Sequence, residues 1–140
     1  MKKDKTEQLI ELACEARLNS HSPYSGFRVG AALRARNGKI FTGTNVENAS
    51  FGLSNCAERT AVFSAVAAGV KEFEAIAVVA DGMEPTAPCG ACRQVLVEFG
   101  LDLEVILAGE NGVGGPVRTT TVGTLVPDAF VDFRKPGGAR

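Results

Sequence analysis

The alternation of apolar and polar positions divides the 140-residue chain into a regular succession of helices and strands. From about Lys3 to Leu18, the residues Leu9, Leu12, Ala13 and Ala16 recur at i, i+3, i+4 and i+7, the spacing of one buried helical stripe. Ile10 and Cys14 flank that stripe, while Glu7, Glu11, Glu15 and Arg17 fall where water can reach them. The turn-rich stretch His21-Ser22-Pro23-Tyr24-Ser25-Gly26 cannot continue the helix. Beyond it, Val29 to Leu33 and Ile40 to Asn45 read as strands joined at Asn37-Gly38, a pair suited to a tight hairpin. Cys56 to about Ala68 reads as a helix stopped at Gly69, with Ala61, Val62, Ala65 and Val66 as its apolar face. Phe73 to Ala80 is a mostly hydrophobic strand, interrupted by Glu74 and closed by Asp81-Gly82. A helix from about Gly90 to Phe99 and a buried strand from Leu103 to Leu107 follow. Asn111-Gly112 and Gly114-Gly115 mark a turn, Val117 to Thr120 a last strand, and Leu125 to Phe130 a terminal segment broken by Pro127.

A helix, then a hairpin, then strands alternating with helices predicts an α/β fold. The expected architecture is one mixed five-stranded sheet, an antiparallel hairpin followed by parallel strands, covered by helices. With no repeat, linker or low-complexity tract, residues 1–140 are expected to form a single domain. A chain of this length buries roughly 70% of its unfolded surface, and 45% hydrophobic with 22% charged residues is ordinary for such a domain. The formal net charge of −1 gives no overall attraction to nucleic acid or anionic lipid. Lys2, Lys3 and Lys5 at one end, and Arg134, Lys135 and Arg140 at the other, read as solvated tails. No apolar run is long enough to cross a bilayer, and MKKDKTEQ leads into no signal-type hydrophobic core, so a cytoplasmic protein is expected. Four cysteines in such a chain point to reduced thiols, not a disulfide scaffold.

Three of those thiols carry the chemistry. Cys56, with Glu58 two residues on, opens one predicted helix, and Pro88-Cys89-Gly90-Ala91-Cys92 opens the next. Cysteines three apart at a helix start project to one side, and helix N-termini favour thiolate over thiol. Cys56, Cys89 and Cys92 therefore supply three sulfur ligands, the number with which a catalytic zinc leaves its fourth position to water. Glu58 would take a proton from that water and pass protons to the substrate. Three thiolates make the metal a weaker acidifier of water; the two helix N-termini offset part of this, and Arg59 is the expected further compensator. Each residue has a plainer reading alone. Glu58 and Arg59 would be solvated helix residues, and Cys89-x-x-Cys92 a redox pair or half of a four-ligand structural zinc site, with Cys14 or His21 as nominal fourth ligand. Cys14 is better read as a small buried hydrophobe, and His21, the only histidine, as a surface or capping residue. Cys-x-Glu together with Pro-Cys-x-x-Cys resembles the signature of zinc-dependent base deaminases, in which zinc hydroxide attacks the carbon bearing the amino group.

Further stretches narrow the likeness. Ser22-Pro23-Tyr24-Ser25-Gly26-Phe27, Val29-Gly30-Ala31-Ala32, Asn45-Val46-Glu47-Asn48, Cys56-Ala57-Glu58-Arg59 and Pro88-Cys89-Gly90-Ala91-Cys92-Arg93-Gln94, in that order, resemble the small homotetrameric cytidine deaminases over nearly the whole chain. Leu125 to Phe130 resembles the family's terminal Leu-Leu-Pro-x-x-Phe, with Val126 in place of the second leucine. The resemblance implies hydrolysis of cytidine and deoxycytidine to uridine and deoxyuridine, with one zinc per chain. It also implies that Asn45 and Glu47 bond the ribose hydroxyls, that Phe27 packs beside the base, and that the Ala57 backbone contacts the pyrimidine edge. Phe130 would reach into a neighbouring subunit's site, making a monomer inactive. On composition alone, Phe27 and Phe130 would be core aromatics. Two rivals remain open: a blasticidin-type deaminase of another aminopyrimidine nucleoside, and a non-catalytic zinc or redox module, which has no use for Glu58. Cys56 in place of histidine argues against nucleotide and purine deaminases. No basic, aromatic-studded groove suggests a nucleic-acid strand as substrate.

Overall fold

Residues 4–131 are described by the structure, a computed structural model. The predicted first helix is α1 (Lys5–Arg17), begun by Asp4, whose carboxylate accepts from the Glu7 N–H at 2.7 Å. There follow β1 (Val29–Ala35), β2 (Ile40–Thr44), α2 (Ala57–Ala67), β3 (Phe73–Ala80), α3 (Gly90–Val97), β4 (Glu104–Ala108), β5 (Val117–Thr121) and the single turn α4 (Val122–Leu125). The five strands form one sheet in the order β2-β1-β3-β4-β5. Of the tail lysines and arginines, all but the exposed Lys5 lie outside the described residues.

β1 pairs antiparallel with both β2 and β3, β3 pairs parallel with β4, and β5 runs antiparallel to β4. The mixed sheet is as expected, but only one neighbouring pair is parallel. Residues 109–116 are too few for the crossover that a parallel strand needs, so β5 doubles back as an exposed edge.

Period-two alternation sorts the central strands between two cores. Ala32, Ala75, Ala77, Val79, Ile106 and Ala108 face α1, meeting Leu9, Ile10 and Ala13. Ala31, Leu33, Ile76, Val78, Val105 and Leu107 face the other way, under α2 and α3. Glycine permits the closest approaches. A Cβ at Gly30 would stand 2.1 Å from the Ala13 carbonyl oxygen of α1, and one at Gly43 2.4 Å from the Ala57 carbonyl oxygen of α2.

One surface expectation fails. Arg17 is buried, not solvated, because its guanidinium pairs with Asp81, which also accepts from the Arg28 backbone N–H at 2.8 Å. Cys14 is half-buried against the α1 core and beside Gly112, and His21 is an exposed residue bridging Val46 through its backbone. Among the described residues, no helix is long and apolar enough to cross a membrane.

Since β2 and β3 both run opposite to β1, their C-terminal ends lie at one edge of the sheet, beside the start of β1; Val29 faces Ala80 and Gly30 faces Thr44. Helices α2 and α3 begin at that same edge. In open α/β sheets the crevice outside the strand C-termini is where ligands bind.

Candidate active site

A cavity of about 430 Å³ opens at this edge, a volume ordinary for a small-molecule site. Its strand walls are Val29, Val78 and Ala80, its floor is the start of α2 from Cys56 to Arg59, and Thr86, Ala87 and Cys89 close the α3 side. Asn45, Glu47 and Phe27 stand at the loop side.

Cys56 and Cys89 are the N-cap residues of α2 and α3, both in extended backbone conformation; the Cys89 side chain caps its helix, whereas the Cys56 side chain makes no cap hydrogen bond. The Cys89 Sγ accepts from the Cys92 N–H at 3.5 Å. The Cys56 and Cys89 sulfurs are 3.8 Å apart, and all three cysteine sulfurs lie within 4.8 Å of one another. Sulfurs at tetrahedral positions about 2.3 Å from one zinc would be separated by about 3.8 Å. The three free thiols therefore fit a zinc ion, and among the described residues no other cysteine, histidine or carboxylate joins their group.

The Arg59 guanidinium donates to the Cys56 sulfur at 3.1 Å, as compensation of the thiolates requires. The Cys56 thiol is pulled down to about 5, first by a hydrogen bond from Cys92 and then by Arg59, with burial opposing. Cys92 is pushed strongly upward by that same hydrogen bond and by burial. Glu58 is only 5% exposed, and its carboxyl is raised above the ordinary range by burial first and by the Cys56 charge next. A buried carboxyl that lines a cavity and holds its proton nearer neutrality can both give and take one.

The loop side is tightly organised. Asn45 accepts from the Val29 N–H at 2.9 Å and from the Ser20 hydroxyl, and its amide donates to the Phe27 carbonyl at 2.8 Å. Glu47 accepts from the Tyr24 and Ser25 N–H groups at 3.0 and 3.1 Å and from the Ser25 hydroxyl. The Ser25 hydroxyl is the chief reason its carboxyl sits below the ordinary range. Both side chains thus fix the loop that presents Phe27, and each keeps hydrogen-bonding capacity for a ligand: one amide N–H on Asn45, one lone pair on Glu47.

Nine of the ten predicted site residues come together here: Cys56, Cys89, Cys92, Glu58, Arg59, Ala57, Asn45, Glu47 and Phe27. Phe130 does not line this cavity; it is 63% exposed, and its carbonyl accepts from the Gln94 amide at 3.1 Å. Strand positions Val78 and Ala80 and loop residues Phe51, Asn55 and Thr86 were missed as cavity walls. Hydrophobic periodicity marks the strand residues as buried without telling which strand ends converge. Val126, the departure from the family's terminal pattern, packs half-buried on the main core and does not line the cavity; the glycine-rich turn at Gly112–Gly114 lies against α1, also away from it.

Comparison with known proteins agrees with this geometry. Residues 3–108 match the family model described as "Cytidine and deoxycytidylate deaminase zinc-binding region". A cytidine deaminase of Sporosarcina psychrophila is 49% identical over 125 residues, covering 89% of this chain and 90% of the relative. One from Halalkalibacterium halodurans is 48% identical over the same length, 89% and 92% of the two chains. The crystal structure of cytidine deaminase from Burkholderia pseudomallei superposes with a TM-score of 0.85 at 55% identity, over 91% of this chain and all of the other.

Proposed function

This chain belongs to the cytidine and deoxycytidylate deaminase family of zinc-binding proteins, and we propose that it hydrolyses cytidine and deoxycytidine to uridine and deoxyuridine, releasing ammonia. The observation that carries this reading is Glu58, a buried carboxyl facing the cavity directly beside three sulfurs that fit one metal ion. A redox or structural zinc module has no use for such a group, whose burial is costly.

Cys56, Cys89 and Cys92 would hold one zinc per chain, which supplies an electrophile able to make water nucleophilic near neutral pH. Glu58 takes a proton from the attacking water and delivers it to the ring nitrogen, so that C4 becomes tetrahedral. A second transfer through Glu58 protonates the departing amine, and ammonia leaves as the carbonyl forms. The raised carboxyl suits both directions of transfer. Arg59, against the Cys56 sulfur, offsets the thiolate charge. Ala57, the first residue of α2, offers its backbone to the pyrimidine edge, and Phe27 flanks the base. The spare N–H of Asn45 and the spare lone pair of Glu47 face the sugar hydroxyls. The substrate is a free nucleoside, and neither nucleic acid nor membrane is a partner.

The chain works as a homotetramer with sites shared between subunits. Phe51, Leu53 and Phe63 are 72%, 73% and 51% exposed, and the Tyr24 and Phe51 rings meet edge-on at 5.6 Å, an apolar surface that a monomer would leave wet. Phe130, which does not line its own chain's cavity, would reach into a neighbour's. Four free thiols suit the reducing cytoplasm. The test is ultraviolet loss of cytidine alongside metal analysis across a gel-filtration peak. Turnover should track a tetramer carrying one zinc per chain, and it should stop on chelation. Full turnover by a monomer, or turnover of blasticidin S without cytidine, would overturn the assignment.

A further inference from the structure

Arg93 follows Cys92 on α3, and its guanidinium bridges two backbone carbonyls that lie far apart in sequence. Its Nε donates to the Pro88 carbonyl at 2.7 Å, immediately before Cys89, and its Nη1 donates to the Leu125 carbonyl at 3.0 Å, at the end of α4. One residue on, the Gln94 amide donates to the Phe130 carbonyl at 3.1 Å. α3 and α4 pack together, with Leu125, Val126 and Ala129 resting on the main core. Consecutive side chains of the sulfur-bearing helix therefore hold both ends of the segment from Leu125 to Phe130.

We propose that Arg93 and Gln94 are positioning residues that tie this C-terminal segment to the metal centre of the same chain, so that the presentation of Phe130 depends on the order of Cys89 and Cys92. The geometry favours arginine. A planar guanidinium reaches two carbonyls from fixed, diverging N–H groups, whereas a lysine ammonium is a single point donor on a flexible stem. Pro88 fixes the backbone entering Cys89, so the same side chain that steadies a sulfur ligand also steadies the arm. Pro127 has no N–H to donate, and Asp128 takes a positive φ of 55°, ending any continuation of α4. The intrachain tether stands without the shared-site reading; its effect on catalysis rests on that reading.

The experiment is hydrogen–deuterium exchange of the zinc-loaded protein, read over residues 122–131 with β1 and β3 as internal controls. Removing zinc with a chelator, or substituting Arg93→Met with zinc bound, should speed exchange of this segment by roughly tenfold or more while the control strands stay protected. Arg93→Lys should recover only part of the protection. Gln94 is exposed, so Gln94→Leu leaves the fold intact and should still speed exchange near Phe130. If chelation and Gln94→Leu both leave the segment unchanged, the tether is refuted, whatever the folding of Arg93→Met. The catalytic arm is a double-mutant cycle on KM. Arg93→Met should raise KM by roughly tenfold with Phe130 present and far less in the Phe130→Ala background. A wild-type KM for Phe130→Ala itself would sink the shared site and leave the exchange result standing.

Discussion

Replacing Gly43 by alanine places a methyl where α2 crosses β2. The new carbon would stand 2.4 Å from the Ala57 carbonyl oxygen and 2.5 Å from the Ala61 nitrogen, where ordinary contact begins at 3.4 Å. Both neighbours are helix backbone, so no side chain can swing aside, and the start of α2 must retreat by about 1 Å. Overpacking of this kind costs about 1–3 kcal/mol, equivalent to a fall of roughly 3–10 °C in melting temperature. The retreat also moves Cys56 and Glu58, and a displacement of about 1 Å in catalytic geometry is worth on the order of a hundredfold in rate. Gly30→Ala is the matched control, with its methyl 2.1 Å from the Ala13 carbonyl oxygen of α1, a helix that lines none of the cavity. Thermal melts and initial rates of cytidine loss on both variants separate the two effects. Both should melt lower, but only Gly43→Ala should lose kcat/KM beyond its loss of folded protein. Equal kcat/KM losses in the two, or an unimpaired Gly43→Ala, would refute the claim that Gly43 sets the position of the catalytic helix.

Asn45→Asp keeps an acceptor for the Val29 N–H but removes the donor to the Phe27 carbonyl and the spare N–H proposed for the sugar. KM for cytidine should rise by roughly 5- to 150-fold with the fold intact, the worth of a polar group left unpaired, and an unchanged KM would remove Asn45 from substrate recognition. Asp81 supplies the pH dependence. Burial alone would raise its carboxyl, but hydrogen bonds from Arg28 and the charges of Arg28 and Arg17 hold it below the ordinary range. A lowered folded value stabilises fully above the ordinary carboxylate range, and that stabilisation is lost as pH falls through the lowered value. Urea unfolding should therefore show Asp81→Asn weaker than wild type by about 1–3 kcal/mol near neutrality, with the gap closing in strong acid. A gap that persists unchanged into strong acid would contradict the ion-pair account.

Much of the site could be read from the chain because its chemistry is local. Cys56 with Glu58, and Cys89 with Cys92, each lie within one helical turn, and helix-start patterning places both pairs at N-termini. What brings the two pairs together is not local. The meeting of α2 and α3 depends on β1 inserting between β2 and β3, and neither strand pattern encodes its neighbour. The buried state of Arg17 was hidden because its partner Asp81 is 64 residues away. The direction of β5 depended on the length of the preceding connection. Asn45 and Glu47 became candidate sugar ligands only through the family resemblance. That the same atoms brace the Phe27 loop appears only once residues 20–29 are seen folded against them.

The central claim is that Glu58 moves the protons while three cysteine sulfurs hold the metal. The direct measurement is steady-state deamination of cytidine by Glu58→Gln, made on protein whose zinc content and melting curve are determined in the same preparation. One zinc per chain, a native melt and a kcat lowered by about a hundredfold to ten-thousandfold are expected. A zinc-loaded, folded Glu58→Gln enzyme with near-wild-type kcat would contradict it.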